Sequence, residues 1–252
     1  MFGIAAGEYG ETLRRFALRF PRPAAIVIVS AHWEAPGPIR VNAAPGPDLI
    51  YDFGGFPPAL YELTYPAPGS PAVAEEALTL LADAGLGAAR EVRRGWDHGV
   101  WIPLRLLYPT ADVSVVEVSL PLPRGPETVL RMGAALAPLR SHGVLLLGSG
   151  GIVHNLRLAR LDRESGPVDQ WGKDFDGWVR KKIERRDLHE LAQYRILAPH
   201  ADLAVPESEH FDPLLFAVGA AEKGDEMEEI ASGFQYANLS LASYAFVPKG
   251  SE

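Results

Sequence analysis

The chain contains no cysteine. That excludes disulfides, thiolate nucleophiles and cysteine-held zinc or iron–sulfur centres, so any metal must be bound by histidine, aspartate or glutamate. Basic residues are in the minority, with 24 lysines and arginines against 32 aspartates and glutamates and a formal charge of −8 at pH 7. A nucleic-acid surface would need a basic patch. The densest basic cluster is Arg180, Lys181, Lys182, Arg185 and Arg186; interleaved with Val179, Ile183 and Glu184, it reads as the solvated face of a helix. No apolar run approaches the roughly 20 residues of a membrane span, and no basic segment followed by an apolar stretch opens the chain. These absences point to a cytoplasmic protein without a nucleic-acid or membrane partner. They leave a homo-oligomer open.

What is present is 252 residues, 47% of them hydrophobic, enough for one α/β domain with a substantial core. Tyr9, Leu13, Phe16, Ala17 and Phe20 recur at helical spacing, which predicts a helix over 8–20 ended by Pro21 and Pro23. Three runs dominated by β-branched or aliphatic residues, 24–30, 113–118 and 143–148, suit strands buried on both faces. Helices are expected over 71–84, closed by Gly85, and over 126–140, opened by Pro126. A longer polar helix is expected over 168–194, and another from Pro213. Residues 235–246 alternate as an edge or hairpin strand would. Strands alternating with helices, without repeats or a clean linker, predict a single-domain α/β sandwich over 1–252. Its central sheet would be mainly parallel or mixed and flanked by helices.

In such sheets ligands gather where loops leave the carboxyl ends of strands. His32 follows the first strand, and His154 follows the strand 143–148 across Gly148-Ser149-Gly150-Gly151. That glycine run lacks the Lys-Ser/Thr of a phosphate loop and reads as a hinge presenting His154. His98 lies between glycines in Gly95-Trp96-Asp97-His98-Gly99. His210 precedes a helix that Asp212 would cap, with Pro213 in its first turn. Imidazole is both a common metal ligand and a proton shuttle near neutral pH. His142, His189 and His200 sit in a turn, on a charged helix and in a loop, and read as ordinary surface residues.

Five segments carry a resemblance: Ser30-Ala31-His32-Trp33-Glu34, residues 51–58, residues 97–104, residues 148–156, and His210-Phe211-Asp212-Pro213-Leu214. Together, in order and over nearly the whole chain, they resemble the DOPA-type branch of the class III (LigB-type) extradiol ring-cleavage dioxygenases. The resemblance implies an α/β fold and one Fe(II), with zinc able to replace it in a purified sample. The reaction would insert O2 into a catechol-type ring, DOPA or caffeate-like, beside its two hydroxyls, leaving a ring-opened semialdehyde. It also implies His32 and His210 as metal ligands, His154 as the acid/base residue and His98 as a group that positions substrate or oxygen. Tyr51 and Asp52 would bind substrate in the pocket wall.

The same resemblance implies a short strand and a His-Gly-Ser-Pro-like turn, carrying a further metal ligand, before the point where Met1-Phe2-Gly3 begins. Both are expected to be missing, through a truncated start or through genuine loss. In the second case Glu34, Asp52 or a water would fill the gap. Two rival functions remain at this point: a non-catalytic binding protein on the same scaffold, and a zinc hydrolase using Glu34 or Glu209 as base.

Overall fold

The structure, a computed structural model, describes residues 7–123 and 125–250. The expected chain start at Met1-Phe2-Gly3 lies outside the described residues. The apolar runs form the sheet: β1 (Ala25–Pro36), β2 (Ile39–Asn42), β3 (Ala88–Glu91), β4 (Ser114–Leu122) and β5 (Val144–Ser149), in the order β3-β2-β4-β1-β5. β1 runs parallel to both β4 and β5, β2 is parallel to β3, and only the β2–β4 contact is antiparallel. The fold is therefore the α/β sandwich with a mainly parallel sheet that the residue pattern predicts.

Alternation along each strand sends side chains to two cores. Val27, Val29, Val116 and Val118 face one core, where helices α2 (Pro71–Asp83), α4 (Pro126–Leu136) and α5 (Gln170–Glu184) bury their apolar stripes. Ile26, Ile28 and Val115 face the other, filled by Trp96 and by Val100, Trp101 and Leu104 of α3 (His98–Leu107). Helix α1 (Glu8–Ala17) lies beside α3. Among the described residues β5 pairs with β1 alone, and its other edge borders a cleft of about 720 Å³ that α1 also lines. No helix of the described residues is long and apolar enough to cross a membrane.

Several expected boundaries move for local reasons. The helix foreseen over 168–194 stops at Glu184, because Arg186 adopts a left-handed φ of 54° and donates to the Ala221 and Glu222 carbonyls. Two short helices follow, α6 (Leu188–Ala192), capped by the Asp187 carboxylate, and α7 (Tyr194–Leu197), then α8 (Ala201–Ala204). The stretch 126–140 is α-helical only to Leu136 and tightens into a 3₁₀ turn over Ala137–His142. Asp212 is the first residue of α9 (Asp212–Ala220), not its cap; Phe211 holds that position. The C-terminal stretch divides into two antiparallel pairs, β6 (Asp225–Ala231) with β9 (Ser243–Pro248), and β7 (Phe234–Gln235) with β8 (Leu239–Ser240).

Arg140 fastens the β6–β9 hairpin to the body. It grips Asp225 through both terminal nitrogens, at 2.7 and 2.9 Å, and donates to the Ala220 carbonyl. The Asp225 side chain is only 2% exposed. Arg140→Ala leaves that carboxylate buried without its cation, with only the Glu222 N–H still donating to it, and is expected to cost about 3–5 kcal/mol of unfolding free energy, read by urea denaturation. A loss below about 1 kcal/mol would show that water reaches Asp225 in solution.

Candidate metal centre

Four chain segments bring one histidine each to the same place. β1 and β4 change register between Val29 and Glu34, so the strand continues to Pro36 and His32 stands within it at the irregularity rather than after its end. His98 is not on a loop: it opens α3, whose cap is Asp97, with Oδ1 accepting from the Gly99 N–H at 3.0 Å. His154 follows the loop after β5 and is tied by its backbone N–H to the Ala204 carbonyl. His210 immediately precedes the segment leading into α9, and its carbonyl accepts from the Gly151 N–H at 2.7 Å.

Two contacts require glycine. A Cβ at Gly99 would lie 2.3 Å from Ser30 Oγ and 3.0 Å from His32 Cδ2, so only glycine lets α3 close onto β1. A Cβ at Gly150 would lie 2.2 Å from the His210 carbonyl oxygen. The glycine run after β5 therefore admits the backbone of the His210 segment, a closer constraint than the hinge for His154 suggested by the residue pattern alone.

The His32 and His98 ring centroids are 4.0 Å apart, His32 and His210 are 5.1 Å apart edge to face, and His154 stacks on His210 at 3.6 Å with 7° between planes. All four line a cavity of about 180 Å³ whose remaining wall includes Leu13, Ile102, Leu106 and Val153. Carboxylates stand behind three of the rings. Asp52 Oδ1 lies 2.9 Å from His98 Nδ1, Asp52 Oδ2 lies 3.5 Å from His32 Nδ1, and Glu209 Oε1 lies 3.1 Å from His210 Nδ1. Asp52 also accepts from the His98 backbone N–H at 2.9 Å.

Electrostatics follow from this crowding. Burial, reinforced by the charges that His98 and His210 would carry, lowers His32 to about 4. Burial and the nearby His210 lower His154 to about 3. Burial alone would raise Asp52, but the hydrogen bonds and charge of His98 and the charge of His32 outweigh it and bring the carboxyl down to about 2. At neutral pH the centre thus presents uncharged His32 and His154 beside an ionised Asp52.

This donor set fits a divalent ion. Among the described residues, His32, Asp52 and His98 have ligating atoms within 4.8 Å of one another, and the His210 ring adjoins them. Neutral imidazole backed at Nδ1 by a carboxylate is how metal-binding histidines are commonly oriented. Tyr51 stands apart from the small cavity: its hydroxyl donates to the Leu63 carbonyl at 2.6 Å and its ring packs against Phe53 and Trp101. His142 pairs with Glu76, His189 contacts Gln193 and His200 faces Asp174, all away from the centre. The basic cluster meets carboxylates, Arg180 with Glu184 and Glu229, and Lys182 with Glu190. Sequence reasoning assigned no role to Ser30, Arg94, Asp97 or Glu117, which lie beneath the site. The available signal was one acid, Glu117, inside an otherwise apolar strand run.

Comparison with known proteins places this geometry in context. Residues 6–247 match the family described as the catalytic LigB subunit of aromatic ring-opening dioxygenase. The chain is 39% identical over 226 residues to a 4,5-DOPA dioxygenase extradiol of Beta vulgaris, covering 89% of this chain and 83% of that one. It is 37% identical over 238 residues to the 4,5-DOPA dioxygenase extradiol of Escherichia coli K12, covering 93% and 86%. A crystal structure of the uncharacterized protein JW3007 from Escherichia coli K12 superposes with a TM-score of 0.82 at 31% identity, covering 96% and 93%.

Depressed histidines make stability depend on pH with a definite sign. Between the lowered native values and the ordinary 6.5, the unfolded chain binds protons that native His32 and His154 do not. Their contribution is complete above about pH 6.5 and is lost as pH falls toward 4. The metal-free protein should therefore have a lower urea midpoint at pH 5 than at pH 7, and His154→Gln should flatten that difference. An unchanged pH slope in the variant would contradict a neutral, buried His154.

Proposed function

The chain belongs to the LigB family of aromatic ring-opening dioxygenases and is an extradiol ring-cleaving oxidoreductase; from that premise we propose that the four-imidazole cavity is its catalytic centre. Members of this family are metal-dependent and act on a small molecule and O2. The observation that carries the proposal is the convergence of His32, His98, His154 and His210, from four separate segments, on one 180 Å³ cavity. We read the whole chain as one catalytic unit and, lacking cysteine and a membrane-length helix, as cytoplasmic.

His32 and His210 hold the ion through Nε2, since the Nδ1 atom of each faces a carboxylate. Fe(II) is the ion proposed, because ring opening by O2 needs a metal that can exchange electrons, and zinc would occupy the same imidazoles in a purified sample. When bound, the ion supplies open positions at which catechol oxygens and O2 are brought together and polarised.

The chain's own groups do the rest. Asp52 orients His98 and His32 rather than touching substrate, as its two oxygens are directed at their Nδ1 atoms. His154, neutral at working pH, accepts a catechol proton and returns it as the ring opens. With Nδ1 committed to Asp52, His98 presents Nε2 to the cavity and, when doubly protonated, donates to negative charge developing on oxygen. Leu13, Ile102 and Val153 exclude water and offer apolar walls to a flat aromatic ring. Tyr51 supports the site by holding its loop through Leu63. A catechol with a short side chain, such as DOPA or caffeate, giving a semialdehyde, is the substrate class proposed from the relatives' activity.

The hydrolase and non-catalytic readings have less behind them. Glu209 and Asp52 are engaged with imidazoles, and Glu34 is exposed on β1.

The test is to load the protein anaerobically with Fe(II), add DOPA or caffeate, and admit air. Oxygen uptake with a yellow semialdehyde is expected; stoichiometric iron without uptake would defeat the proposal. His154→Ala should lower kcat by roughly 10²–10⁴-fold while keeping its metal content. Parallel loss of metal would make His154 a ligand instead.

A further inference from the structure

The metal cavity adjoins a larger space that the roles above do not use. Tyr9, Leu13, Ser149, His210, Ser240 and Leu241 line both the cavity of about 180 Å³ and the cleft of about 720 Å³ beside β5, so the two meet at a common boundary. Ligand pockets usually enclose about 300–1,000 Å³, so the cavity alone suits an aromatic ring and little more. Further room lies in the cleft, whose walls include the half-buried apolar side chains of Phe16, Leu107, Leu145, Leu147 and Leu214.

One side chain spans the boundary. Tyr9 rises from α1, on one side of the cleft, and its hydroxyl donates at 2.9 Å to Ser243 Oγ of β9, on the other. Ser243 gives its own proton to the Leu241 carbonyl at 3.1 Å. The Tyr9 ring is thereby held across the gap between helix and hairpin. Arg19, just past α1, meets Glu228 of β6 at 2.6 Å and ties the helix to the same hairpin a second time. Ser149 and Ser240 are too small to bar a passage, and the His210 ring is stacked on His154. Tyr9 is the largest side chain on the shared boundary.

We propose that Tyr9 is a specificity-determining residue: its ring bars the passage from the metal cavity into the apolar cleft and so sets the size of apolar substituent that a catechol can bring into the centre. This rests on the catalytic reading above and deepens it, because the short side chain of the substrate then has a named cause. A ring with a small substituent fits inside the Tyr9 phenol, whereas a second aromatic ring meets it. Pushing the tyrosine aside breaks its bond to Ser243 and leaves a half-buried hydroxyl without its acceptor, which penalises the large substituent further. In Tyr9→Ala the two spaces join, and the second ring gains apolar contact in the cleft.

One arm of the test needs neither metal nor turnover. In metal-free protein labelled with ¹⁵N histidine, the His154 and His210 resonances report para-cresol or para-phenylphenol entering the cavity. The wild type should bind the cresol at least about tenfold more tightly than the phenylphenol, and Tyr9→Ala and Tyr9→Leu should each bring that ratio below about threefold. Tyr9→Phe keeps the bulk and loses only the hydroxyl, so its ratio should stay on the wild-type side. In the Fe(II)-loaded enzyme, the kcat/KM of methylcatechol over that of phenylcatechol, each substituted para to one hydroxyl, should fall about tenfold or more in Tyr9→Ala. The inference is overturned by an unchanged binding ratio in the alanine and leucine variants, by an equal drop in Tyr9→Phe, or by no response to either phenol. It is equally overturned if only the phenylalanine variant folds, since Tyr9 would then hold the fold and not the passage. Absence of oxygen uptake by the unmodified enzyme would fail the dioxygenase reading, while the phenol binding ratio still judged Tyr9.

Discussion

Four imidazoles can share one small cavity only while they carry little positive charge between them. Protonating any one burdens its neighbours at ring distances of 3.6–5.1 Å, and burial penalises the charge again. The structure answers this constraint by placing carboxylates behind the rings and apolar residues around them. Asp52 stands against the Nδ1 atoms of His32 and His98, and Glu209 against that of His210, which among the described residues leaves the Nε2 atom of each ring without a carboxylate. A group of neutral, oriented nitrogens is what a divalent ion selects, and it is also what a proton-accepting step needs.

The same constraint explains why the surrounding backbone is so closely fitted. Gly99 lets α3 meet β1, and Gly150 lets the His210 segment meet the end of β5; a methyl group at either would open the cavity by pushing a ring or a carbonyl away. Asp97 lies under this contact, accepting from Ser30 Oγ, from the Gly99 N–H and from Arg94. A parallel sheet suits the purpose, since β1 and β5 run in the same direction and deliver His32 and the His154 loop to one end.

Much of this was legible from the residues. The three apolar runs give β1, β4 and β5, and the motif order gives the family. The four histidines that share the cavity separate from His142, His189 and His200 by their glycine and strand-end contexts. The rest depended on contacts distant in sequence. Nothing local distinguishes Arg186, whose left-handed backbone ends α5, from any other residue of a charged helix. Asp52 and His98 are far apart in the chain, so the hydrogen bond from the His98 N–H to Asp52 and the 2.9 Å approach of the ring to the same carboxylate are invisible to spacing. Tyr51 is expected in the pocket wall from the family resemblance alone; that its hydroxyl donates to the Leu63 carbonyl could not be read from the sequence.

The most direct test of the central claim is diffraction from metal-loaded crystals, recorded at the absorption edge of the bound iron or zinc. One anomalous peak is predicted, about 2.0–2.2 Å from ring nitrogens of both His32 and His210, with His98 and His154 facing it from the cavity wall. A peak coordinated by Asp52 and His98 without His32 or His210, or a peak outside this cavity, would contradict the account.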